Sequence, residues 1–322
     1  MIDVAHEVRE AEQRIRPHIR ETPLVASPGF DGRDGAPVFF KCENLQHTGS
    51  FKARGALSKA LALSREDLNR GVVTASTGNH GAAVAFALAR VDAKATIFVP
   101  ENASPTKLSN IRRQGGEIRE HGTDSGETEH FARDYAERQG LTYLPPYNDP
   151  QVIGGQGTIA VELERQLDQI DTVVVSIGGG GLIAGIAGYL KAVRPSIRII
   201  GCSPANSQVM IQSVAAGEIL DLPSQPTLSD GTAGGVETDA ITFPVIRETV
   251  DEFVTVSETQ ISSAMRTFLD THSMLIEGAA GVAIAAWQQR ATDLAGANTV
   301  VVLCGGNIAL DTLRQVICHA NP

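Results

Sequence analysis

Several kinds of residue are scarce in this chain, and each scarcity excludes a class of protein. Four cysteines occur in 322 residues without any C-x-x-C pair, so neither a zinc site nor a disulfide framework is indicated. Lysine and arginine form no run and the net charge is -10, which argues against nucleic acid as a partner. No apolar run approaches the roughly 18 residues of a membrane span. We expect a cytoplasmic protein with a small-molecule substrate and no membrane partner.

What the chain does have is an alternation of two patterns. Short runs rich in Val and Ile recur between longer segments of helical period, which predicts an α/β fold with open, twisted, mostly parallel sheets flanked by helices. The predicted strands are Val38–Lys41, Val72–Ala75, Ala95–Val99, Glu117–Glu120, Thr172–Ile177, Ile197–Cys202, Phe253–Val256 and Thr299–Leu303. The predicted helices include Gly81–Arg90, Pro105–Arg113, Glu127–Arg138, Gly157–Leu167, Leu182–Val193, Glu258–Thr271 and Ala280–Gln289.

One lysine stands in a distinctive setting. Lys52 follows an aromatic residue in the hexapeptide Ser50-Phe51-Lys52-Ala53-Arg54-Gly55, and a helix-like run comes next. A lysine held there is a candidate for forming a Schiff base with a carbonyl group. Most lysines are solvated surface charges, so the hexapeptide alone is weak evidence.

Four consecutive glycines, Gly178 to Gly181, connect a predicted buried strand to a helix that opens at Leu182. Backbone N–H groups converge at such a turn, and with the helix dipole they form a site for a phosphate. The pattern Gly179-x-Gly181-x-x-Ala184 also fits a dinucleotide fingerprint, but that fingerprint needs an acid about 20 residues further on. Because Gly201-Cys202-Ser203 stands there, the dinucleotide alternative ranks second.

A second anion-binding corner is predicted at Ser76-Thr77-Gly78-Asn79-His80, which follows a strand and opens a helix. Its small hydroxyl residues and glycine suit a substrate carboxylate, and Asn79 can donate to a phenolate oxygen of a cofactor ring. A helix N-cap is the plain structural alternative for Ser76 or Thr77, and His80 alone favours a structural role. Near the C-terminus, Cys304 ends a strand, where its thiol can face a ring nitrogen. Together these pieces indicate pyridoxal 5'-phosphate.

On these residues the chain resembles the tryptophan-synthase-β-like superfamily, fold type II of the pyridoxal-phosphate enzymes, and within it the serine/threonine dehydratase and serine racemase group. The resemblance runs nearly from end to end. Beyond the segments already quoted, it is carried by Glu21-Thr22-Pro23-Leu24, Lys41-Cys42-Glu43-Asn44-Leu45-Gln46, Gly155-Gln156-Gly157-Thr158, Ser229-Asp230-Gly231 and Leu275-Ile276-Glu277.

The resemblance implies a role for each matching residue. Lys52 bonds the cofactor and removes the substrate α-proton, Phe51 packs on the ring, and Asn79 bonds its hydroxyl. Gly178, Gly179, Gly180, Gly181 and Leu182 hold the phosphate, and Cys304 faces the ring nitrogen. Ser76, Thr77, Gly78 and His80 bind the substrate, with Thr77 also a candidate catalytic residue. It further implies a homodimer with a large cofactor-binding domain, residues 1–50 and 148–322, and a small substrate-side domain, residues 51–147.

The implied reaction removes water from L-threonine, L-serine or a related 3-hydroxy amino acid and releases a 2-oxo acid and ammonia. Racemisation or β-replacement is the alternative within enzymes, and a non-catalytic binding module is the alternative outside them. Thr77 stands where relatives that racemise carry serine, and Ser203 where relatives with a divalent-cation site carry an acid, so we expect no metal. No regulatory domain is expected after Cys304. Because no cation near these motifs suits a second carboxylate, 3-hydroxyaspartate ranks below neutral substrates.

Overall fold

The protein is described here by a computed structural model covering residues 2–27, 30 and 37–318. The strands in that part of the chain are β1 Leu24–Ala26, β2 Val38–Cys42, β3 Val72–Ala75, β4 Ala95–Val99, β5 Glu117–Glu120, β6 Thr142–Tyr143, β7 Thr172–Ser176, β8 Arg198–Pro204, β9 Glu252–Val256 and β10 Thr299–Leu303. The helices are α1 Val4–Ile15, α2 Lys52–Ala62, α3 Arg65–Arg70, α4 Asn79–Arg90, α5 Pro105–Arg113, α6 Ser125–Gln139, α7 Pro150–Gln166, α8 Gly181–Val193, α9 Val209–Ala216, α10 Thr242–Thr249, α11 Glu258–His272, α12 Gly278–Arg290 and α13 Leu310–Cys318.

The larger sheet has six strands in the order β1-β2-β10-β7-β8-β9. All neighbouring pairs are parallel except β1 with β2. The central strands β7 and β10 are buried along their whole length, as expected when helices cover both faces of a sheet. Because β7 and β10 are adjacent and parallel, the residues after Ser176 and after Leu303 lie at the same edge of the sheet.

The smaller sheet has four parallel strands in the order β5-β4-β3-β6. Its main hydrophobic core joins α2, α4 and α5 to strands β3 and β4, and it also takes in Ile15 and Ile19 from the N-terminal region. Each sheet takes its strands from one side of the predicted domain division. The assignment of residues 51–147 to a separate small domain remains a prediction.

The predicted fold class, two mostly parallel sheets flanked by helices, is confirmed. Strands β3, β4, β5 and β10 and helix α5 have the predicted bounds, and the capping box at Ser257 and Gln260 that begins α11 is present. The short edge strands β1 and β6 were not predicted. Helix α7 begins at Pro150 rather than Gly157, and α4 begins at Asn79 rather than Gly81, with Gly78 as its N-cap.

A group of buried charges ties α2 to the larger sheet. The Arg54 guanidinium donates to Glu43 Oε1 at 2.7 Å and to Glu162 Oε1 at 2.7 Å. Lys41 Nζ donates to Glu162 Oε2 at 2.5 Å and to the Thr22 carbonyl at 2.8 Å. These four charged side chains, which we call the buried ionic cluster, are fully buried and come from β2, the turn after it, α2 and α7. The cluster fixes the axis of the helix that begins at Lys52.

No helix in the described ranges is both long enough and apolar enough to cross a membrane.

Candidate active site

Lys52 is the first residue of α2, and the segment before it is held by the end of β10. The Phe51 N–H donates to the Cys304 carbonyl at 3.0 Å, and Ser50 forms an isolated β-bridge with Gly305. Lys52 Nζ donates to the Pro146 carbonyl at 2.8 Å, so the amine is turned into the protein. Burial lowers the pKa of Lys52 from 10.5 to about 8. The neutral, nucleophilic amine is thereby more accessible near neutral pH.

The four glycines form the turn between β7 and α8 that the sequence predicts. Gly180 is the N-cap of α8 and has a left-handed backbone with φ of 90°, a conformation that favours glycine. Among the described residues, no protein acceptor is bonded by the backbone N–H groups of Gly178 to Leu182. These donors at a helix N-terminus are free to hold an anion.

Tyr147 supports this glycine turn from outside. A Cβ atom on Gly179 would collide with the Tyr147 ring, and one on Gly181 would lie 2.9 Å from Tyr147 Cβ. The Tyr147 hydroxyl oxygen accepts a hydrogen bond from the Glu237 N–H at 2.8 Å. Because Pro146, the residue before Tyr147, accepts from Lys52, this short segment links the amine to the glycine turn.

The loop from Ser76 to Asn79 follows β3 in the smaller sheet and opens α4. Ser76 Oγ accepts from the Gly78 N–H at 3.1 Å and so shapes the turn. Thr77 is partly exposed, and its hydroxyl has no protein partner in the described ranges. His80 is different, because its buried Nε2 lies 3.0 Å from the Leu144 carbonyl. Burial lowers the pKa of His80 to about 3, so the ring is neutral and held behind the loop.

Asn79, Glu277 and Cys304 form a buried polar group beside Lys52. Asn79 Nδ2 donates to both Glu277 oxygens at 2.9 Å, while Asn79 Oδ1 accepts from Asn307 Nδ2 at 2.7 Å. Burial raises the pKa of Glu277 from 4.5 to about 7. Cys304 Sγ lies 3.6 Å from Ser176 Oγ, and burial raises the pKa of this thiol well above its usual value. A neutral thiol is therefore the partner available at the end of β10.

These parts together offer a nucleophilic amine, a set of free backbone donors suited to a phosphate, and a second loop suited to a carboxylate. The family model for pyridoxal-phosphate dependent enzymes matches residues 15–305. The chain belongs to this family. The predicted cofactor, pyridoxal phosphate, is thereby confirmed.

The relatives of this pyridoxal-phosphate enzyme indicate the group to which it is similar within that family. It is similar to an L-threonine ammonia-lyase of Geobacter sulfurreducens, with 41% identity over 96% of this chain and 77% of the relative. It is also similar to a serine racemase of Oryza sativa subsp. indica, with 36% identity over 96% of this chain and 92% of the relative. The solved structure of processed threonine deaminase isoform 2 from Solanum lycopersicum matches with a TM-score of 0.95, 33% identity, and coverage of 99% of this chain and 94% of that one. The predicted resemblance to the dehydratase and racemase group is confirmed.

The residues present fit the cofactor. Lys52 supplies the amine, and the unpartnered N–H groups of Gly178 to Leu182 supply donors for its phosphate. The backbone of Phe51 is bonded to that of Cys304, and a cation–π contact of 5.2 Å joins Lys52 Nζ to the Phe51 ring. The individual roles of these residues remain predictions.

Three features of the site were not anticipated from the sequence. Tyr147 belongs to none of the motifs that the sequence suggests, and Glu277 is identified there only as part of a family motif. The sequence also suggested no cation near the motifs, whereas Lys107 lies 2.5 Å from Asp230 and Arg133 lies 2.8 Å from Glu237. These two pairs join residues more than 100 positions apart, a separation that leaves no local pattern. Ser203, the residue on which the expectation of no metal depends, donates from its Oγ to the Ile177 carbonyl at 3.0 Å.

Proposed function

We propose that this enzyme is an ammonia-lyase that removes water from L-threonine, L-serine or a related 3-hydroxy amino acid. The products are a 2-oxo acid and ammonia. The observation that carries the proposal is the position of Lys52, a half-buried amine of lowered pKa that is linked through Pro146 and Tyr147 to the glycine turn. The names of the relatives, L-threonine ammonia-lyase and threonine deaminase, support the dehydratase over other reactions of the family.

Each part of the site has a task in this reaction. When bound, pyridoxal phosphate withdraws electrons from the substrate α-carbon and so makes its proton acidic. The Lys52 amine accepts that proton, which its lowered pKa permits near neutral pH. The loop from Ser76 to Asn79 orients the substrate by its carboxylate. The N–H groups of Gly178 to Leu182 would hold the phosphate, and the neutral Cys304 thiol would offer the ring nitrogen an uncharged partner.

Substrates with an uncharged side chain suit the site best. Lys107 and Arg133, whose partners belong to the segment beside the glycine turn, are already paired with Asp230 and Glu237. A second carboxylate on the substrate would have to displace one of these acids, so 3-hydroxyaspartate ranks below serine, threonine and phenylserine. We further propose that the enzyme acts in the cytoplasm, in keeping with its four cysteines without a disulfide. The homodimer that the family resemblance implies remains part of the proposal.

Racemisation is the second candidate. The Thr77 hydroxyl has no protein partner in the described ranges, and a relative with 36% identity is a serine racemase. A hydroxyl placed opposite Lys52 can return a proton to the other face of the substrate. The methyl group of threonine crowds that position relative to serine, so we rank racemisation below elimination.

A panel of 3-hydroxy amino acids tests the proposal. Oxo-acid and ammonia release is expected in equal amounts from L-serine or L-threonine, and borohydride should fix the cofactor onto Lys52. Replacing Lys52 with alanine should lower turnover by about 10²- to 10⁴-fold or more, because the base is lost. Lys94→Ala, at an exposed lysine, is the control. Full turnover by Lys52→Ala would refute the proposal, and inversion without ammonia would favour the racemase.

A further inference from the structure

Residues 229–239, which we call the roof segment, cover the glycine turn between β7 and α8. It begins with a 3₁₀ turn at Asp230–Thr232. A Cβ atom on Gly178 would lie 2.9 Å from Thr232 Cα, so the roof segment touches the glycine turn directly. At its other end, the Glu237 N–H donates to the Tyr147 hydroxyl, and the Tyr147 ring packs on Gly179. The roof segment thus supports the glycine turn at two points.

Both ends of the roof segment are held by helices that flank the smaller sheet. Lys107 Nζ of α5 lies 2.5 Å from Asp230 Oδ2, and Arg133 Nη2 of α6 lies 2.8 Å from Glu237 Oε1. The Asn148 amide adds a hydrogen bond to Glu237 Oε2 at 3.0 Å. The smaller sheet therefore reaches across to the glycine turn through two ion pairs, one at each end of the same segment.

The two ion pairs differ in their surroundings. Asp230 is 74% exposed and Lys107 35% exposed, so water and salt screen this pair. Glu237 is 22% exposed, and Arg133 also pairs with Glu129 at 2.8 Å and lies 4.4 Å from the centre of the Tyr143 ring. We therefore expect the Arg133 pair to be the stronger of the two and the Lys107 pair to be weakened first by salt.

We propose that Lys107 and Arg133 are positioning residues, whose ion pairs with Asp230 and Glu237 hold the roof segment on the glycine turn and thereby retain the cofactor. This inference rests on the proposed function, since it takes the glycine turn as the phosphate site. In this proposal neither Lys107 nor Arg133 contacts the substrate. Losing either one lets the roof segment move away from Gly178 and Tyr147, which loosens the donors of the glycine turn.

The test measures cofactor loss from the holoenzyme rather than activity alone. The variants are Lys107→Gln, Arg133→Gln and their combination, each diluted into an excess of a cofactor scavenger while the imine absorption is followed. Partly solvated ion pairs contribute little free energy, so each single variant should lose cofactor about 2- to 5-fold faster, and the double variant about 4- to 25-fold faster if the two effects are independent. The apparent Kd for pyridoxal phosphate should rise by a similar factor, with kcat at saturating cofactor changed less.

Two controls separate positioning from general loss of charge. Lys191→Gln breaks a comparable pair, Lys191 with Asp251 at 2.7 Å, which lies outside the roof segment, and it should leave cofactor loss unchanged. Lys107→Arg and Arg133→Lys keep the charge and should restore most of the retention. In about 1 M salt, where the Debye length is roughly 3 Å, the wild type should approach the Lys107→Gln variant.

The outcomes are distinct. If both Gln variants keep the cofactor as the wild type does, or if Lys191→Gln loses it equally fast, the inference is overturned while the proposed function stands. If the wild-type protein forms no imine absorption at all, the proposed function fails and the inference falls with it. Faster loss in the two Gln variants alone supports the inference.

Discussion

Two groups of ionisable side chains surround Lys52 and Arg54, which lie two residues apart on α2, and the two groups differ in how their charges are paired. Around Arg54, each charge meets an opposite charge: two carboxylates and two cations interlock with no exposure to solvent. Around Lys52, the amine donates to a backbone carbonyl, and Glu277 is bonded by the Asn79 amide rather than by a cation.

The pKa values follow this difference in pairing. Burial acts to lower the pKa of Arg54, but Glu43 and Glu162 raise it overall; burial acts to raise the pKa of Glu162, but Arg54 and Lys41 lower it to about 2. In the active site burial prevails, so the pKa of Lys52 falls to about 8 and that of Glu277 rises to about 7. Pairing therefore keeps Arg54 and Glu162 charged, although burial still lowers the pKa of Lys41 in the same cluster. Lys52 and Glu277 lack such pairing, and their pKa values lie close to physiological pH.

The largest effect is expected from breaking the buried ionic cluster. Arg54→Met leaves Glu43 and Glu162 buried without their main partner, which should cost about 3–5 kcal/mol of unfolding free energy. Urea unfolding of the purified variant measures it. Arg165→Met, which removes an arginine that is 46% exposed and also pairs with two glutamates, is the matched control and should cost about 1 kcal/mol or less. Equal losses of stability in the two variants would contradict the expected difference between buried and exposed ion pairs.

The next effect concerns pH and the unpaired Glu277. The folded state holds its proton up to about pH 7, whereas the unfolded chain releases it near 4.5. Its contribution to stability is therefore fully present below pH 4.5 and is lost as the pH rises to 7, by up to about 3 kcal/mol. Glu277→Gln should remove this slope from the unfolding free energy of the cofactor-free protein. The same slope in Glu277→Gln as in wild type would refute the prediction; Glu248→Gln, at an exposed position, should keep it.

A smaller effect is expected from glycine substitutions, which can separate the cost of a left-handed backbone from the loss of cofactor binding. Gly180→Ala and Gly217→Ala both place a side chain at a left-handed position, with φ of 90° and 82°, which costs about 1–2 kcal/mol in each case. Gly217 has open space around it, whereas a Cβ on Gly180, in the glycine turn, would collide with the Ile246 side chain of α10. Both variants should lose similar stability, but only Gly180→Ala should lose affinity for the cofactor in a fluorescence titration. Equal cofactor affinity in both would show that the turn tolerates displacement.

The smallest effect is expected at Cys304. Its thiol is neutral and lies beside the Ser176 hydroxyl, and serine supplies a donor of similar size and no charge. Cys304→Ser should therefore change kcat/KM by no more than about fivefold, or about 1 kcal/mol. Steady-state kinetics on L-threonine and L-serine test this. A much larger loss would mean that the sulfur itself has a task in the reaction.

The sequence predicted the central strands well because each is a continuous run of apolar residues, as in β10. It failed where tertiary packing overrides local preference. Helix α7 contains glycines that predict a loop, yet a Cβ on Gly155 would lie 2.6 Å from Gly55 Cα, so close packing of α7 on α2 requires glycine within a helix. Its true start is marked by Asp149, whose side chain accepts from the Val152 N–H, and by Pro150 in the first turn.

The same limit applies to the site. Lys52, the glycines and the Ser76 loop were identified because each forms a short local pattern. Tyr147 and Glu277 gave no such signal, since their importance depends on contacts with Gly179 and Asn79 that only the folded chain creates. The two ion pairs of the roof segment likewise depend on folded-chain contacts, which bring α5 and α6 of the smaller sheet beside residues 229–239.

The bridge between Ser50 and Gly305, with the neighbouring bond from Phe51 to Cys304, sets the timing of assembly. These two partners are far apart in the sequence, so a ribosome delivers Ser50 long before Gly305. The segment that begins α2 therefore lacks this support until β10 has emerged. We expect newly made protein to acquire its coenzyme only after that point in translation.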